Sequence, residues 1–390
     1  MVYQKGHNNY GTSLQGYALL NVLQKLGYEV EIIIYIKHPS VYDRMKWAVN
    51  AVRIGEIKSL LTRIVGKFNF VFNKNSQYVE NIALRTKTVD LYKKNKLLPH
   101  CRIYEGYSAL HEGSKNYDTV IVGSDQVWTP MGLPTRFYNL LFVDENVKKV
   151  AYASSFGVSE IPRFQIKQTG LYLDRFYMIG VREQRGKEIV DAFSHKTAKV
   201  VVDPTFLLTR EEWECELNEN ISVSTAKNRK RAERGGYIFC YFLGTNSDAR
   251  KAALELKKET DLPIITIRHM DEYVESDEQF GDEAPYDVDP NDFVRYISHA
   301  NYVCTDSFHC TVFSIIFHRQ FMTFYRYAQI SKTGRNTRID SLFQVTGISR
   351  SHVYDGDIRK IREEIDWQQT EEKVSVLRKE SMLFLQEALL

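Results

Sequence analysis

Short apolar runs alternate with segments of helical period along this chain, and the alternation predicts an α/β protein. "HNNYGTSLQG" leads into a helix, with Thr12 or Ser13 as N-cap. Leu19, Val22, Leu23 and Leu26 give that helix a buried face, and Gly27 ends it. "YEVEIIIYI" follows as a strand. A helix feeding a strand is half of a βαβ unit, so a first strand is expected within residues 1–6.

Four further runs read as buried strands closed by polar residues: "YDTVIVGSDQVW" (117–128), "KKVAYASSFG" (148–157), "FYMIGVREQRGKEIV" (176–190) and "KVVVDPTFLL" (199–208). Apolar strands separated by helices describe a parallel sheet covered on both faces, which binds ligands beyond the strands' carboxyl ends. A second set begins at "YIFCYFLG" (237–244). It continues through a helix over 247–259, the strand "LPIITI", the helix "DPNDFVRYISHA", the strand "NYVCT", another helix and the strand "RQFMTFYR". The polar, basic stretch 214–236 between the two sets ends in Gly-Gly and reads as a linker. The expected fold is α/β, with two Rossmann-like domains facing a cleft, at 1–213 and 237–366. A C-terminal helix over 367–390 is expected to cross back.

The first domain carries a helical insertion at about 41–100. Between Val41 and Asn75 seven Lys or Arg face only Asp43 and Glu56, and Ile57, Leu61, Ile64 and Phe68 recur at helical spacing. Two readings stay open. The insertion packs on its own domain with a solvated basic face, or it touches anionic lipid or a lipid-linked substrate.

Composition narrows the class. A chain of 390 residues with 43% hydrophobic and 26% charged residues is globular and large enough for two domains. A net charge of +3 is too mild to suggest a nucleic-acid partner. The 24 tyrosines suit sugar-binding surfaces, or reflect composition alone. Cys101, Cys215, Cys240, Cys304 and Cys310 are odd in number and contain no CxxC, which argues against a disulfide framework, structural zinc or an iron–sulfur cluster and fits a reducing cytoplasm. The polar start does not read as a signal peptide, and runs such as "IIIYI" are far short of a membrane span. A cytoplasmic protein, at most resting on the inner face of a membrane, is expected. No metal-ligand spacing is present, so no metal is expected.

Chemistry concentrates in "TDSFHCTVFS", where Thr305, Asp306, Ser307 and His309 sit between a buried strand and a buried helix. A helix N-terminus offers free N–H groups to an anion, worth about 0.3–1 kcal/mol when exposed and up to ~2 kcal/mol when partly buried. Imidazole titrates near neutrality, so His309 suits proton transfer. The plainer alternative is a capped buried helix with an interior histidine. A dipole alone does not hold an anion, so guanidinium groups are sought at strand ends and in the loop "SKTGRNTRID": Arg268, Arg326, Arg335 and Arg338. In the first domain Asp125 is a candidate second base or a helix cap. Gly123, Gln126 and Trp128 follow the strand on the side where a ligand would lie, as do Asn9, Tyr10 and Gly11 in the first strand-to-helix loop. Arg182 and Glu183 form an ion pair that shapes the site, or contact ligand.

In order, "NNYGTSLQGYALLNVLQKLGYEVEII", "YDTVIVGSDQVW", "VAYASSFG", "VREQRGKEI", "VVDPT" and "TDSFHCTVFSIIF" resemble the polysaccharide pyruvyl transferase family over residues 8 to about 320. The resemblance implies a GT-B-like fold. It also implies transfer of a pyruvyl group from phosphoenolpyruvate to a sugar of a surface exopolysaccharide or its lipid-linked precursor, forming a pyruvate ketal. Phosphoenolpyruvate is then the donor substrate, and no cofactor is called for. On this reading His309 and Asp125 are catalytic. Thr305, Ser307, Arg268, Arg326, Arg335 and Arg338 bind the donor, and Asn9, Tyr10, Gly11, Gly123, Gln126 and Trp128 bind the acceptor. The family pattern here reads Ser-x-Arg-x-His-Gly or Asp-Ser-Phe-His-Gly. This chain follows the second form, with Ser307 at the arginine position and Cys310 in place of glycine. A nucleotide-sugar glycosyltransferase and a non-catalytic glycan assembly subunit are the competing expectations.

Overall fold

The computed structural model describes residues 1–2, 9–55, 76–219, 226–269, 273–326 and 336–390. Two parallel sheets organise it. The first contains β1 (Ile32–Ile36), β2 (Cys101–Glu105), β3 (Thr119–Asp125), β4 (Lys148–Ser154), β5 (Met178–Val181) and β6 (Ala198–Val200). Pairing runs β1–β2 and β3–β4–β5–β6. Val2 joins the two groups by bridging Ile33 and Val122. The Val2 N–H donates to Ile121 at 2.8 Å, and the Ile33 N–H donates to Met1 at 2.7 Å. The strand expected in residues 1–6 is therefore present as a short bridge. The second sheet, ordered β10–β9–β7–β8, contains β7 (Ile238–Tyr241), β8 (Ile264–Thr266), β9 (Tyr302–Thr305) and β10 (Gln320–Thr323). Apolar strands buried on both faces need helices on both sides, and these supply the connections.

Several local expectations change. Helix Tyr10–Lys25 is capped by Asn9, whose side chain accepts from the Thr12 N–H at 3.4 Å; Thr12 and Ser13 are buried inside the first turn. β2 was not expected. Its "CRIYE" exposes Arg102, Ile103 and Glu105, so it lacks the apolar signal of the interior strands. The stretch read as a linker is helical on both sides of 220–225, as Arg210–Glu219 and Ala226–Glu233. Its polar residues are good helix formers, and Asn228 is buried, donating to the Asp287 carbonyl at 2.6 Å.

Three features hold the two sheet units together. Tyr10 is fully buried, stacks on Phe293 at 4.9 Å and donates to the Val288 carbonyl at 3.1 Å. Helix Ser76–Lys96 sends the buried Arg85 guanidinium to the carbonyls of Arg268, Pro285 and Tyr286 at 2.6, 2.9 and 3.3 Å. Helix Trp367–Leu389 touches both units: Trp367 stacks on His318 at 5.0 Å, while Phe384 packs on Tyr152 and Gly180 of the first sheet and Ser381 accepts from the Val202 N–H at 3.0 Å. The insertion thus contributes helices Val41–Ile54 and Ser76–Lys96, while Ile57, Leu61, Ile64 and Phe68 lie outside the described residues. Among the described residues no helix is long and apolar enough to cross a membrane.

Candidate functional site

The carboxyl ends of β3, β4, β5 and β6 deliver Asp125, Ser155, Arg182 with Glu183, and Asp203 to one place. His309 and Phe308 meet them from the helix Phe308–Ile316, which follows β9. The backbone is unusual here. Asp125 has φ +69°, and Ala153 has φ +53° beside a register shift in β4. Left-handed conformations at residues with a Cβ are costly and cluster at functional sites.

Buried ionic contacts tie the group together. Arg182 donates to Asp203 at 2.9 Å and to Asp125 at 3.2 Å, and its guanidinium lies 4.3 Å over the Phe308 ring. Ser124 also donates to Asp203, at 3.0 Å. His309 Nε2 stands 3.5 Å from Asp203 Oδ2. Burial alone would raise the Asp203 carboxyl, but the His309 and Arg182 charges and the Thr205 N–H outweigh it and hold the group well below the usual carboxylate range. Asp125 behaves likewise: burial is overcome by Arg182, His309 and Arg338, and its pKa falls. A carboxylate held ionised in this way is a weak proton acceptor, so Asp125 reads as a charge partner for the arginines rather than as a second base. Glu183 is the opposite case. Burial raises its carboxyl, against the pull of Arg182 and of the Ser155 hydroxyl, which donates to Oε1 at 2.7 Å.

Arg338 closes the group from the start of helix Thr337–Thr346. It stands 3.6 Å from Asp125 and 5.8 Å from the Phe308 ring. With the Gln126 amide assigned so that its oxygen faces the guanidinium, Arg338 donates to it from Nε at 3.1 Å and Nη2 at 2.8 Å. Burial, aided by the Arg182 and Arg326 charges and offset by Asp125, brings Arg338 down to about 10. Arg326 reaches in from beyond β10, donating to the Asp306 carbonyl at 3.1 Å. Three buried polar atoms of this group have no hydrogen-bond partner among the described residues, Arg182 Nε, Arg326 Nε and Glu183 Oε2, and His309 Nε2 has only its long 3.5 Å approach to Asp203. Orphaned buried polar groups are costly and uncommon, and their convergence marks a place for a ligand.

Other expected site residues have structural duties. Thr305 donates to the Tyr241 carbonyl at 2.6 Å and accepts from the Ser307 N–H at 3.0 Å; Ser307 caps the helix by accepting from Cys310 at 3.4 Å. Asp306 accepts from the Leu243 and Gly244 N–H groups at 2.6 and 2.8 Å, clipping the loop after β7. Arg268 pairs with Glu278 at 3.2 Å, in the loop region of its own sheet. Arg335 lies outside the described residues. Trp128 offers no stacking surface, because its indole is buried among Phe156, Tyr172 and Phe176 and donates to the Tyr138 carbonyl at 3.0 Å. Gly123 accommodates the β4 backbone, since a Cβ there would meet the Tyr152 carbonyl oxygen at 2.1 Å. Tyr10 belongs to the core between the sheets, Asn9 is a helix cap, and Gly11 makes room for His309. Nothing local in "VVDPT" marks Asp203 as more than the polar end of a strand; its place beside Asp125 and Arg182 at the sheet's carboxyl edge is the signal that finds it.

A cavity of about 580 Å³, lined by Glu31, Arg102 and Tyr117 among others, lies towards the amino ends of β1 and β3 and shares no residue with this group. Among the described residues no cluster of His, Cys, Asp and Glu has the form of a metal site.

The sequence matches the family model for polysaccharide pyruvyl transferase over residues 9–327. A search of curated proteins by sequence gives no match. A solved structure from Listeria monocytogenes, assigned as a UDP-N-acetylglucosamine 2-epimerase, is similar with a TM-score of 0.50 at 10% identity, covering 97% of this chain and 89% of that one. The UDP-GlcNAc 2-epimerase of Neisseria meningitidis bound to UDP-GlcNAc has a TM-score of 0.48 at 10% identity, covering 98% and 97%. At such identity the first of these likenesses speaks for the fold alone: two parallel α/β units facing a cleft, in the GT-B-like arrangement.

Proposed function

We propose that this chain, which belongs to the polysaccharide pyruvyl transferase family, transfers a pyruvyl group from phosphoenolpyruvate to a sugar of a surface polysaccharide or its lipid-linked precursor. The observation that carries this reading is the meeting of Arg182 and Arg338 at the Phe308 ring, with Arg326 close enough for its charge to act on Arg338, and with Arg182 Nε and Arg326 Nε unpartnered among the described residues. Phosphoenolpyruvate brings a carboxylate and a phosphate, and guanidinium groups recognise both. Arg338 supplies the guanidinium that position 307 lacks, from a different element.

The reaction begins when the methylene carbon of the enol phosphate takes a proton, leaving an oxocarbenium-like centre. One sugar hydroxyl adds there and loses its proton. The bond to phosphate then breaks, and the second hydroxyl closes the ketal. Of the two hydroxyl protons lost, one balances the new methyl group and the other leaves with phosphate. Glu183, with its raised carboxyl, suits delivery of the first proton. His309, backed by the ionised Asp203, suits collection of protons from the hydroxyls. The guanidinium groups stabilise the developing negative charge on the leaving phosphate. The second sheet unit, with Arg326, Arg338 and His309, then forms the donor side, Arg182 and Glu183 reach the donor from the first, the acceptor enters from the first, and the reaction takes place in the cytoplasm.

The test is calorimetry with phosphoenolpyruvate and, separately, a panel of nucleotide sugars. Saturable phosphoenolpyruvate binding is expected, weakened roughly tenfold or more in Arg338→Ala, in keeping with a charged hydrogen bond worth about 1.5–3 kcal/mol. Binding of a nucleotide sugar in place of phosphoenolpyruvate would overturn the proposal in favour of glycosyl transfer.

A further inference from the structure

We infer that the helix Val41–Ile54 rests on an anionic phospholipid surface. Five of its apolar side chains are open to solvent: Val41 at 75%, Tyr42 at 71%, Met45 at 62%, Val49 at 56% and Val52 at 55%. At 3.6 residues per turn they fall within an arc of about 100° on one side of the helix. Exposed Lys46 and Arg53 flank one edge of that arc, and exposed Arg44 flanks the other. The helix's single acid, Asp43, faces away from the arc and is engaged in a capping box with Ser40. Single exposed apolar residues are ordinary, but a contiguous stripe rimmed by cations is the pattern of a helix lying in the plane of a membrane interface.

The opposite face fixes the helix in place. Asn50 is buried, donates to the Pro130 carbonyl at 3.1 Å and accepts from Gln165 at 2.8 Å. The helix is thus pinned to the loop that leaves β3 while its apolar residues remain outside. Phe164 extends the surface onto a second element: it is 38% exposed, and the Arg53 guanidinium lies 4.0 Å over its ring. The cationic rim selects for the partner's charge. Anionic headgroups meet Arg44, Lys46 and Arg53 while the apolar stripe enters the acyl boundary, and a neutral bilayer answers only half of the surface. Helix Val41–Ile54 follows the carboxyl end of β1 and packs against the loop beyond β3, so the membrane lies on the side of the sheet that carries Asp125. Attachment stands independently of the reaction proposed above; if that reaction holds, the same surface brings a lipid-linked acceptor to the cleft.

The test is sedimentation of the full chain with vesicles of equal parts phosphatidylglycerol and phosphatidylcholine, and with vesicles of phosphatidylcholine alone. The expected result is binding to the first and not the second, lost at high salt. Met45→Glu with Val49→Glu should lower the bound fraction roughly tenfold, and Lys46→Gln with Arg53→Gln should weaken it and flatten its salt dependence. All four positions are exposed and only Arg53 gives up a contact, the one with the Phe164 ring, so the thermal melt should move little, which separates loss of binding from loss of fold. Equal sedimentation of the Met45→Glu, Val49→Glu variant would overturn the inference, as would equal binding to both vesicles. A wild type that is dimeric without lipid and becomes monomeric in that variant would assign the face to a second copy of the chain instead.

Discussion

A Cβ built on Gly11 would stand 2.1 Å from Nδ1 of His309, so the start of the first helix and the histidine of the second sheet unit fit together only because position 11 has no side chain. Gly11→Ala must displace the imidazole from its present place beside Asp203. Overpacking of this kind costs about 1–3 kcal/mol, and a misplaced catalytic group can lose on the order of 100-fold in rate. Phosphate release from phosphoenolpyruvate should fall by that order, with a modest drop in melting temperature. An unchanged rate would remove His309 from the chemistry.

Asp203 is the charge on which Arg182, Ser124 and His309 converge. Breaking a buried ion pair from one side costs about 3–5 kcal/mol, and Asp203→Asn should lose that much in urea titrations. The sign of its pH dependence follows from the depressed pKa. The unfolded chain binds the proton first, at about pH 3.9. The wild-type advantage is therefore complete above that value and shrinks as the solution is acidified further. The gap between wild type and variant should narrow in acid.

Glu183 should show the reverse. Its folded carboxyl is raised by burial, so the unfolded chain ionises first, from about pH 4.3, and stability declines as pH climbs from there towards the folded value. Glu183→Gln keeps an oxygen for the Ser155 hydroxyl and removes the ionisation. The variant should gain stability relative to wild type as pH rises. It should retain phosphoenolpyruvate binding and lose turnover by about 10²–10⁴. Full turnover would assign the first proton to another group.

Arg85 makes a prediction away from the chemistry. Its guanidinium serves three backbone carbonyls of the second sheet unit. Arg85→Ala leaves the buried Pro285 carbonyl and the part-buried Arg268 and Tyr286 carbonyls without this donor, at about 1–3 kcal/mol for a fully buried group. Denaturant unfolding should lose several kcal/mol, and loss of two-state character would show the sheet units separating.

Much of this architecture was legible in the sequence, because buried parallel strands advertise themselves as unbroken apolar runs. "YDTVIVGSD", "VAYAS" and "YIFCYF" needed no tertiary knowledge. The helix Pro290–His299 falls within the segment "DPNDFVRYISHA", and Asp289 caps it by accepting from Asp292, chemistry that acts over three residues. β2 escaped because an edge strand carries polar and exposed residues.

The site was legible in position and less so in detail. His309 stood out by residue type at its strand-to-helix junction, and Arg338 was one of four arginines sought at strand ends and in the loop "SKTGRNTRID". Asp203 did not stand out, because its partners Ser124 and Arg182 lie 79 and 21 residues away and nothing local distinguishes it from a turn residue. Trp128 misled for the complementary reason: an aromatic after a strand suggests a sugar platform, and only packing shows that Phe156, Tyr172 and Phe176 already enclose it.

The packing of Phe384 and Ser381 on the first sheet has a consequence for biosynthesis. The strands β4 to β6 are translated long before the helix Trp367–Leu389 that covers them. Chains grow at roughly 5–20 residues per second, so Tyr152 and Val202 spend many seconds on the ribosome without their lid. During that interval the apolar face that Phe384 later covers lies open, the kind of surface that makes incomplete chains prone to aggregate.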